Sequence, residues 1–275
     1  MKGTTSDSAP TLGVLYGNRD FFPDHLITEA RDDIAKLFSK LGLRAIQLGE
    51  KQSKLGGVET HAEARKCADL FRRHAGDIDG VLVVLPNFGD EKGVADTLKL
   101  AGLNVPVLIQ GYPDDLKKLD VARRRDAYCG KISVCNNLVQ AGIKFSLTSK
   151  HVSHPTSESF SDDLQKFVAV CRVVNGLRGL RLGAVGARPG AFNTVRYSEK
   201  ILERHGISVT TVDLSEILGK AEKLDAAAKA VKAKLAEIKS YAPSKGVPEK
   251  PLEQMARRPI LEKSFAISSR ASVMR

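Results

Sequence analysis

The segment whose residue spacing most resembles a ligand-binding loop is residues 183–217, which opens with a short apolar run. Gly186 and Asp213 stand where a dinucleotide-binding fingerprint has its first glycine and its ribose-binding acid. Arg188 occupies the place of the second glycine, and Pro189 has no backbone N–H to offer a phosphate. Nucleotide binding is therefore one of the alternatives for this chain, although the fingerprint lacks its second glycine.

Alternating apolar and amphipathic stretches predict the elements that would position such loops. Apolar runs predict strands at residues 11–16, 43–48, 80–85 and 105–110. Helical spacing covers residues 24–41, 60–75 and 91–101. Short strands that alternate with helices are typical of a parallel sheet covered on both faces. We therefore predict an α/β protein with two Rossmann-like domains, each a parallel sheet flanked by helices.

The second half of the chain repeats the strand–helix pattern over a shorter length. A fifth strand is predicted at residues 144–147, an interdomain connection at 148–155, and a helix at 158–175 that opens the second domain. Strands at 180–185 and 207–212 follow, then a long Ala/Lys-rich helix at 220–240 and a short helix at 251–257. The predicted domains are residues 1–150 and 151–257, the second expected to be incomplete, with an irregular basic tail at 258–275.

Unusual polar and aromatic residues follow the predicted strands of the first domain, where a parallel sheet binds its ligand. They are Asn18, Arg19, Phe21 and Phe22, then Asn87, Phe88 and Asp90, then Tyr112 and Asp114. Arg19 has two interpretations. It is either a surface residue paired with Asp20 or Asp24, or part of a recognition surface with the neighbouring aromatic residues.

The charge and cysteine content narrow the classes of partner. The net charge is +11, but the basic clusters alternate with acids along predicted helices and have no interleaved aromatic residues, so nucleic acid is not expected. The positive field of the chain would still attract anionic ligands. No apolar run reaches membrane-spanning length, and the polar first residues predict no secretory signal and hence a cytoplasmic protein. The four cysteines lack CxxC spacing and are predicted to be buried free thiols.

Five segments in register resemble the L-fucose/L-arabinose isomerase family of sugar ketol isomerases. They are G-A-R-P-G-A-F-N-T-V-R-Y-S-E-K at residues 186–200, together with residues 17–25, 85–91, 106–114 and 129–138. The resemblance implies aldose–ketose isomerisation of a small sugar by a homo-oligomer, with manganese as cofactor. It also implies that Arg19, Phe88 and Arg188 bind the substrate, Arg19 and Phe88 in the active site of a neighbouring subunit.

The resemblance stops after residue 257, and the carboxylates and histidine that hold the family's metal have no counterpart here. The chain is therefore expected to bind no metal alone and to be inactive alone, as the product of a truncated or frameshifted reading frame. His151 and His154 do not replace those ligands, because Pro155 prevents them from sharing a helix face. The alternative functions are a non-catalytic cytoplasmic sugar-binding module and, less favoured, a nucleotide-binding α/β protein.

Overall fold

The computed structural model describes residues 9–257 and divides the chain into two compact units, Met1–Asn175 and Gly176–Arg275. The predicted boundary after residue 150 thus falls within the first unit. The reason is the helix that was expected to open the second domain. Its side chains Phe160, Leu164 and Phe167 are buried in the core of the first unit. The predicted tail, residues 258–275, lies outside the described residues.

The first unit is a parallel sheet flanked by helices, which confirms the predicted fold class. Its elements are β1 (Thr11–Gly17), α1 (His25–Leu41), β2 (Arg44–Ile46), β3 (Gly57–Val58), α2 (His61–Arg73), β4 (Gly80–Leu85), α3 (Glu91–Ala101), β5 (Val107–Gly111), α4 (Ala127–Gln140), β6 (Ser146–Leu147) and α5 (Glu158–Leu177). The strands run in the order β2-β1-β4-β5-β6, and the short β3 pairs with the far end of β1. All of these pairings are parallel.

Helices cover both faces of the sheet, and two glycines show how closely they pack. The ring of Phe71 in α2 lies over Gly13, and Phe167 in α5 lies over Gly80. Gly80 pairs in register with Leu12, the neighbour of Gly13, so the two glycines point to opposite faces. The central strands β1 and β4 are therefore buried on both sides, which explains their continuous apolar sequences.

The second unit contains a two-stranded parallel sheet. Its elements are β7 (Arg181–Val185), α6 (Glu199–Arg204), β8 (Ser208–Val212), α7 (Leu214–Glu222) and α8 (Lys229–Tyr241), and residues 249–257 are helical. The single long helix predicted at residues 220–240 is thus divided in two. Asp225 causes the break, because its carboxylate accepts a hydrogen bond from the backbone N–H of Ala227 at 2.9 Å.

The cysteines agree only partly with the prediction of buried thiols. Cys67 and Cys171 are buried, and burial raises the pKa of each thiol to about 12. Cys135 is half-buried, whereas Cys129 is exposed. Among the helices of residues 9–257, none has the length and apolar character needed to cross a bilayer.

Candidate functional site

The loops after β1 and β4 bring Arg19 and Phe88 into contact. The two strands are parallel neighbours, so their loops leave the same edge of the sheet side by side. The guanidinium carbon of Arg19 lies 4.5 Å from the centroid of the Phe88 ring. Its Nη1 atom lies 3.2 Å from a carboxylate oxygen of Glu91, in the first turn of α3. The guanidinium is thus held between a ring face and a carboxylate.

Further aromatic and basic side chains extend this contact into a surface. The rings of Phe22 and Phe88 are stacked with centroids 5.9 Å apart, and Phe21 lies 4.9 Å from Phe22. The guanidinium of Arg124 lies 5.1 Å from the Phe22 centroid. Phe22 is buried, whereas Phe21 is 65% exposed. We call Arg19, Phe21, Phe22, Phe88 and Arg124 the Arg–Phe cluster.

Two fully buried asparagines support the Arg–Phe cluster from beneath. The side-chain amide of Asn18 donates to Asp24 at 3.0 Å and to Glu59, and its oxygen accepts from the amide of Asn87. The oxygen of Asn87 accepts in turn from the backbone N–H of Gly89 at 3.1 Å. Asn18 and Asn87, which immediately precede Arg19 and Phe88, are therefore bonded to each other.

Close backbone packing fixes the loop that carries Phe88. Asp90 begins α3 by accepting a hydrogen bond from the backbone N–H of Gly93 at 2.6 Å, as an N-cap residue does. On the other side, α4 approaches so closely that a Cβ at Gly130 would overlap the carbonyl oxygen of Phe88. Both helices thereby restrict the position of Phe88.

A second polar network lies at the end of β5. The hydroxyl of Tyr112 donates to Asp33 at 3.2 Å, and Nε2 of His154 lies 3.4 Å from the same carboxylate. Burial and the neighbouring Asp33 raise the pKa of Tyr112 above its usual range. The guanidinium of Arg125 lies 4.7 Å from the Tyr112 ring and donates to the carbonyl of Pro86 at 2.9 Å. Because Tyr112 is fully buried, this network joins elements and offers its phenol to no ligand.

The structure places the three predicted site residues in two groups. Arg19 and Phe88 are together, and the partner of Arg19 is Glu91, not Asp20 or Asp24. Arg188 belongs to the second unit, where its Nη1 atom donates to the carbonyls of Pro189 and Gly190 at 2.9 and 3.1 Å. Its guanidinium is thus turned towards its own loop.

The loop of Arg188 does not have the geometry of a dinucleotide-binding turn. In that fingerprint a helix begins directly after the glycines and directs its N-terminus at the pyrophosphate. Here a long irregular segment follows Gly186, and α6 begins only at Glu199. The nucleotide alternative therefore receives no support from this loop.

Arg124 is a member of the Arg–Phe cluster that the sequence reasoning missed, and the structural contacts of its neighbour Arg125 were missed as well. Their run of basic residues was predicted to be a solvated helix face. The structure has an irregular segment between Gly111 and α4, and both guanidinium groups lie over aromatic rings. Asp114 could have indicated a loop at this point of the sequence, because its carboxylate accepts hydrogen bonds from the backbone N–H groups of Arg125 and Asp126. An acid bonded in this way fixes a loop instead of extending a helix.

Lys131 is a second residue that the sequence did not reveal. It is fully buried in α4, and its ammonium group donates to Thr148 and to the carbonyl of His151, both at 2.7 Å. Burial lowers the pKa of Lys131 to about 8. The helical position alone gave no indication of this, since lysine is mostly an exposed residue.

The residues around the Arg–Phe cluster do not fit a divalent metal. Within residues 9–257, no group of three or more His, Cys, Asp or Glu side chains is arranged to hold an ion. The nearby acids are bonded otherwise: Glu91 to Arg19, and Glu59 to Asn18 and Lys54. A manganese ion needs several oxygen ligands that converge on one point, and these acids point to separate partners.

Comparison with protein-family models identifies a match. The family model described as "Fucose/sulfoquinovose isomerase, N-terminal domain" matches residues 13–178. This range begins within β1 and ends just after α5, so it covers the loops of the Arg–Phe cluster. A search of curated proteins finds no match to the chain.

Proposed function

Since the chain belongs to the fucose/sulfoquinovose isomerase family, through its N-terminal domain, we propose that it provides the sugar-binding surface of an aldose–ketose isomerase. The substrate would be L-fucose, L-arabinose or a related sugar. Homo-oligomerisation and a cytoplasmic location stay predictions. So does the role of Arg188 as a third substrate-binding residue.

The observation that supports this proposal best is the contact between Arg19 and Phe88. A guanidinium group has five N–H donors, and within the part of the chain that the structure describes that of Arg19 donates one hydrogen bond, to Glu91. The remaining donors suit sugar hydroxyl oxygens. The exposed ring of Phe21 presents a flat apolar face to the C–H side of a pyranose, while the ring of Phe88 orients the Arg19 guanidinium. Together they provide the two kinds of contact that a polyol requires.

The part these residues play is binding and orientation. Isomerisation through an enediol requires a base next to the carbonyl and stabilisation of the negative charge on two neighbouring oxygens. In the family, manganese supplies that stabilisation, but within residues 9–257 the acids around the Arg–Phe cluster do not fit a metal. We therefore propose that this chain alone binds sugar without converting it, and that Arg19 and Phe88 serve the active site of a neighbouring subunit.

Isothermal titration calorimetry with the purified chain tests the binding proposal, because it needs no spectroscopic signal that paramagnetic manganese would broaden. L-Fucose, L-arabinose and sulfoquinovose are titrated with and without manganese, against wild type and Arg19→Ala. Removing a hydrogen bond from a charged group costs about 1.5–3 kcal/mol, so R19A should bind about 10- to 100-fold more weakly. Arg65→Ala, which removes an exposed arginine of α2, is the control and should bind as wild type does.

The outcomes separate the candidate functions. Sugar binding that is lost in R19A, without turnover, supports the proposal. If manganese strengthens that binding, the metal has ligands in this chain and the proposal that the chain alone binds no metal is wrong. If manganese produces appreciable ketose, the proposal that the chain alone is inactive is wrong. Equal binding by wild type and R19A would remove Arg19 from the site. Binding in R19A that is lost in Arg188→Ala would move the site to the second unit and favour the sugar-binding module.

A further inference from the structure

A groove lies between the second half of α1 and the start of α5, and we call it the α1–α5 groove. It is lined by Asp33, Lys36, Leu37 and Lys40 of α1 and, on the other side, by residues 155–158 and Ser161. Its volume is about 430 Å³, within the range of roughly 300–1,000 Å³ that small-molecule sites occupy. It shares no residue with the Arg–Phe cluster, so it is a separate candidate site in the first unit.

Two ammonium groups of the groove have no counter-ion. Lys36 and Lys40 lie four residues apart, so their side chains extend along the same side of α1. Within residues 9–257 neither lysine forms an ion pair or a hydrogen bond. Like charges at this spacing repel each other and destabilise a helix. A dianion between the two ammonium groups would remove that repulsion, and lysine is a common ligand of phosphate groups.

Three other polar side chains of the groove are already hydrogen-bonded within the protein. Asp33 accepts from the hydroxyl of Tyr112 at 3.2 Å and lies 3.4 Å from Nε2 of His154. The Thr156 hydroxyl lies 2.8 Å from the other ring nitrogen of His154. The Ser157 hydroxyl donates to the carbonyl of His154 at 2.7 Å and accepts a backbone N–H of α5 at 3.3 Å. These groups shape the groove, and the start of α5 is capped by its own serine.

The α5 side leaves one acceptor and one donor for a ligand. Glu158 is exposed, and its carboxylate has no partner in the part of the chain that the structure describes. The Ser161 hydroxyl accepts one long hydrogen bond, 3.5 Å from the amide of Gln165, and keeps its own hydrogen to donate. Leu37 and Pro155 are buried and form the apolar part of the lining.

We propose that the α1–α5 groove binds a sugar phosphate. The phosphate group lies between Lys36 and Lys40, because a dianion matches two ammonium groups. The sugar hydroxyls donate to Glu158 and accept from Ser161, and the C–H side of the sugar lies on the apolar lining. Inorganic phosphate leaves the acceptor and the apolar lining unused and is repelled by Glu158, whereas a neutral sugar leaves both lysines unpaired. This inference does not depend on the proposed function of the Arg–Phe cluster.

Isothermal titration calorimetry of the full chain tests the ligand class with three probes, D-glucose 6-phosphate, D-glucose and inorganic phosphate. Glucose 6-phosphate should bind more tightly than either of the other two, and added salt should weaken it. Arg19→Ala should bind glucose 6-phosphate as wild type does, because the two sites share no residue. Absence of binding, equal affinity for glucose and its phosphate, or loss of glucose 6-phosphate binding in R19A overturns the proposal.

A pair of double variants with the same charge change tests the position of the phosphate. Lys36→Gln with Lys40→Gln should bind glucose 6-phosphate about 10-fold more weakly, since each exposed ion pair contributes about a factor of three. Lys51→Gln with Lys144→Gln is the matched control, because both are exposed lysines outside the groove, and it should bind as wild type does. Equal weakening by the two double variants would show a general charge effect and overturn the proposal.

Two further measurements locate the ligand and its orientation. Glucose 6-phosphate should slow the chemical acetylation of Lys36 and Lys40, followed by mass spectrometry, and should leave Lys51 and Lys144 unaffected. Glu158→Ala should bring the affinity for glucose 6-phosphate closer to that for inorganic phosphate, because it removes the hydroxyl acceptor and the repulsion of a bare anion. Acetylation that the ligand does not change, or an unchanged ratio of the two affinities, contradicts the proposed site.

Discussion

Replacing Asn18 with alanine would test whether one buried amide holds the Arg–Phe cluster together. The side chain of Asn18 is fully buried between β1 and the loop after β4. It donates to Asp24 and Glu59 and accepts from Asn87. Alanine removes all three hydrogen bonds and leaves the buried amide of Asn87 without its acceptor.

The expected cost follows from these partners. A hydrogen bond to a charged group contributes about 1.5–3 kcal/mol, and an unsatisfied buried amide costs about 1–3 kcal/mol. Asp24 and Glu59 both keep Lys54, at 3.2 and 3.4 Å, which compensates part of the loss. We therefore expect N18A to lower the free energy of unfolding of the first unit by about 3 kcal/mol. With a urea m-value of about 2 kcal/mol/M, the midpoint should fall by about 1.5 M.

Tyrosine fluorescence during urea unfolding is the appropriate measurement, because it separates the two units. Tyr16 and Tyr112 are buried in the first unit, whereas Tyr197 and Tyr241 of the second are already exposed. The chain has no tryptophan to obscure the signal. The fluorescence change on unfolding therefore reports mainly the first unit.

The control for N18A is Asn137→Ala on α4. The amide of Asn137 is half-buried and makes one long hydrogen bond, 3.4 Å, to the carbonyl of Ser133. Its removal should change the midpoint by less than a third of the N18A effect, because alanine is also the better helix former. Equal midpoints for the two variants would refute the claim that Asn18 fixes the loops.

Two further substitutions test the packing of α4. Gly130→Ala should destabilise the first unit by more than about 3 kcal/mol in urea unfolding, because its Cβ would overlap the backbone of Phe88. Gly176→Ala, an exposed helical glycine with open space around it, should be neutral or stabilising, and equal effects would contradict this packing. Between about pH 8 and about pH 10.5 Lys131 should contribute stability that rises with pH, because the unfolded chain keeps the Lys131 proton that the folded chain releases. The buried thiols of Cys67 and Cys171 act in the opposite direction, so the measured quantity is the difference in unfolding free energy between wild type and Lys131→Met. That difference should rise over this pH range, whereas the difference between wild type and Lys144→Met should stay constant, and a constant difference for both variants would show that Lys131 does not titrate in this way.

Most of the first unit could be predicted from the sequence because its strands are buried on both faces. Continuous apolar runs gave β4 at its observed bounds, and α3 was predicted at its observed bounds between Asp90 and Gly102. The two-residue strand β3 was missed, because it is held by pairing with β1 and its own sequence has no strand signal. The domain boundary was misplaced for a related reason. The apolar positions of α5 indicate burial but not which core receives them.

The candidate site could be predicted only where single residues were distinctive. Arg19 and Phe88 follow adjacent strands, and the topology of a parallel sheet brings such loops together. The identity of the Arg19 partner could not be predicted, because Glu91 is distant in sequence and is placed by the start of α3. Arg124 was missed because a run of arginines has the same composition on a helix and in a loop.

The local charge balance favours a neutral sugar over an anion as the proposed ligand of the Arg–Phe cluster. Arg19 pairs with Glu91 at 3.2 Å, and Arg124 lies 3.5 Å from a carboxylate oxygen of Asp126. The net charge of +11 belongs to the whole chain, and at this surface each guanidinium group has a carboxylate beside it. Long-range attraction of anions is therefore weak here, while directed N–H donors and ring faces remain. We therefore expect such a surface to select ligands by hydroxyl geometry, while the same ion pairs occupy the carboxylates that a metal ion would need.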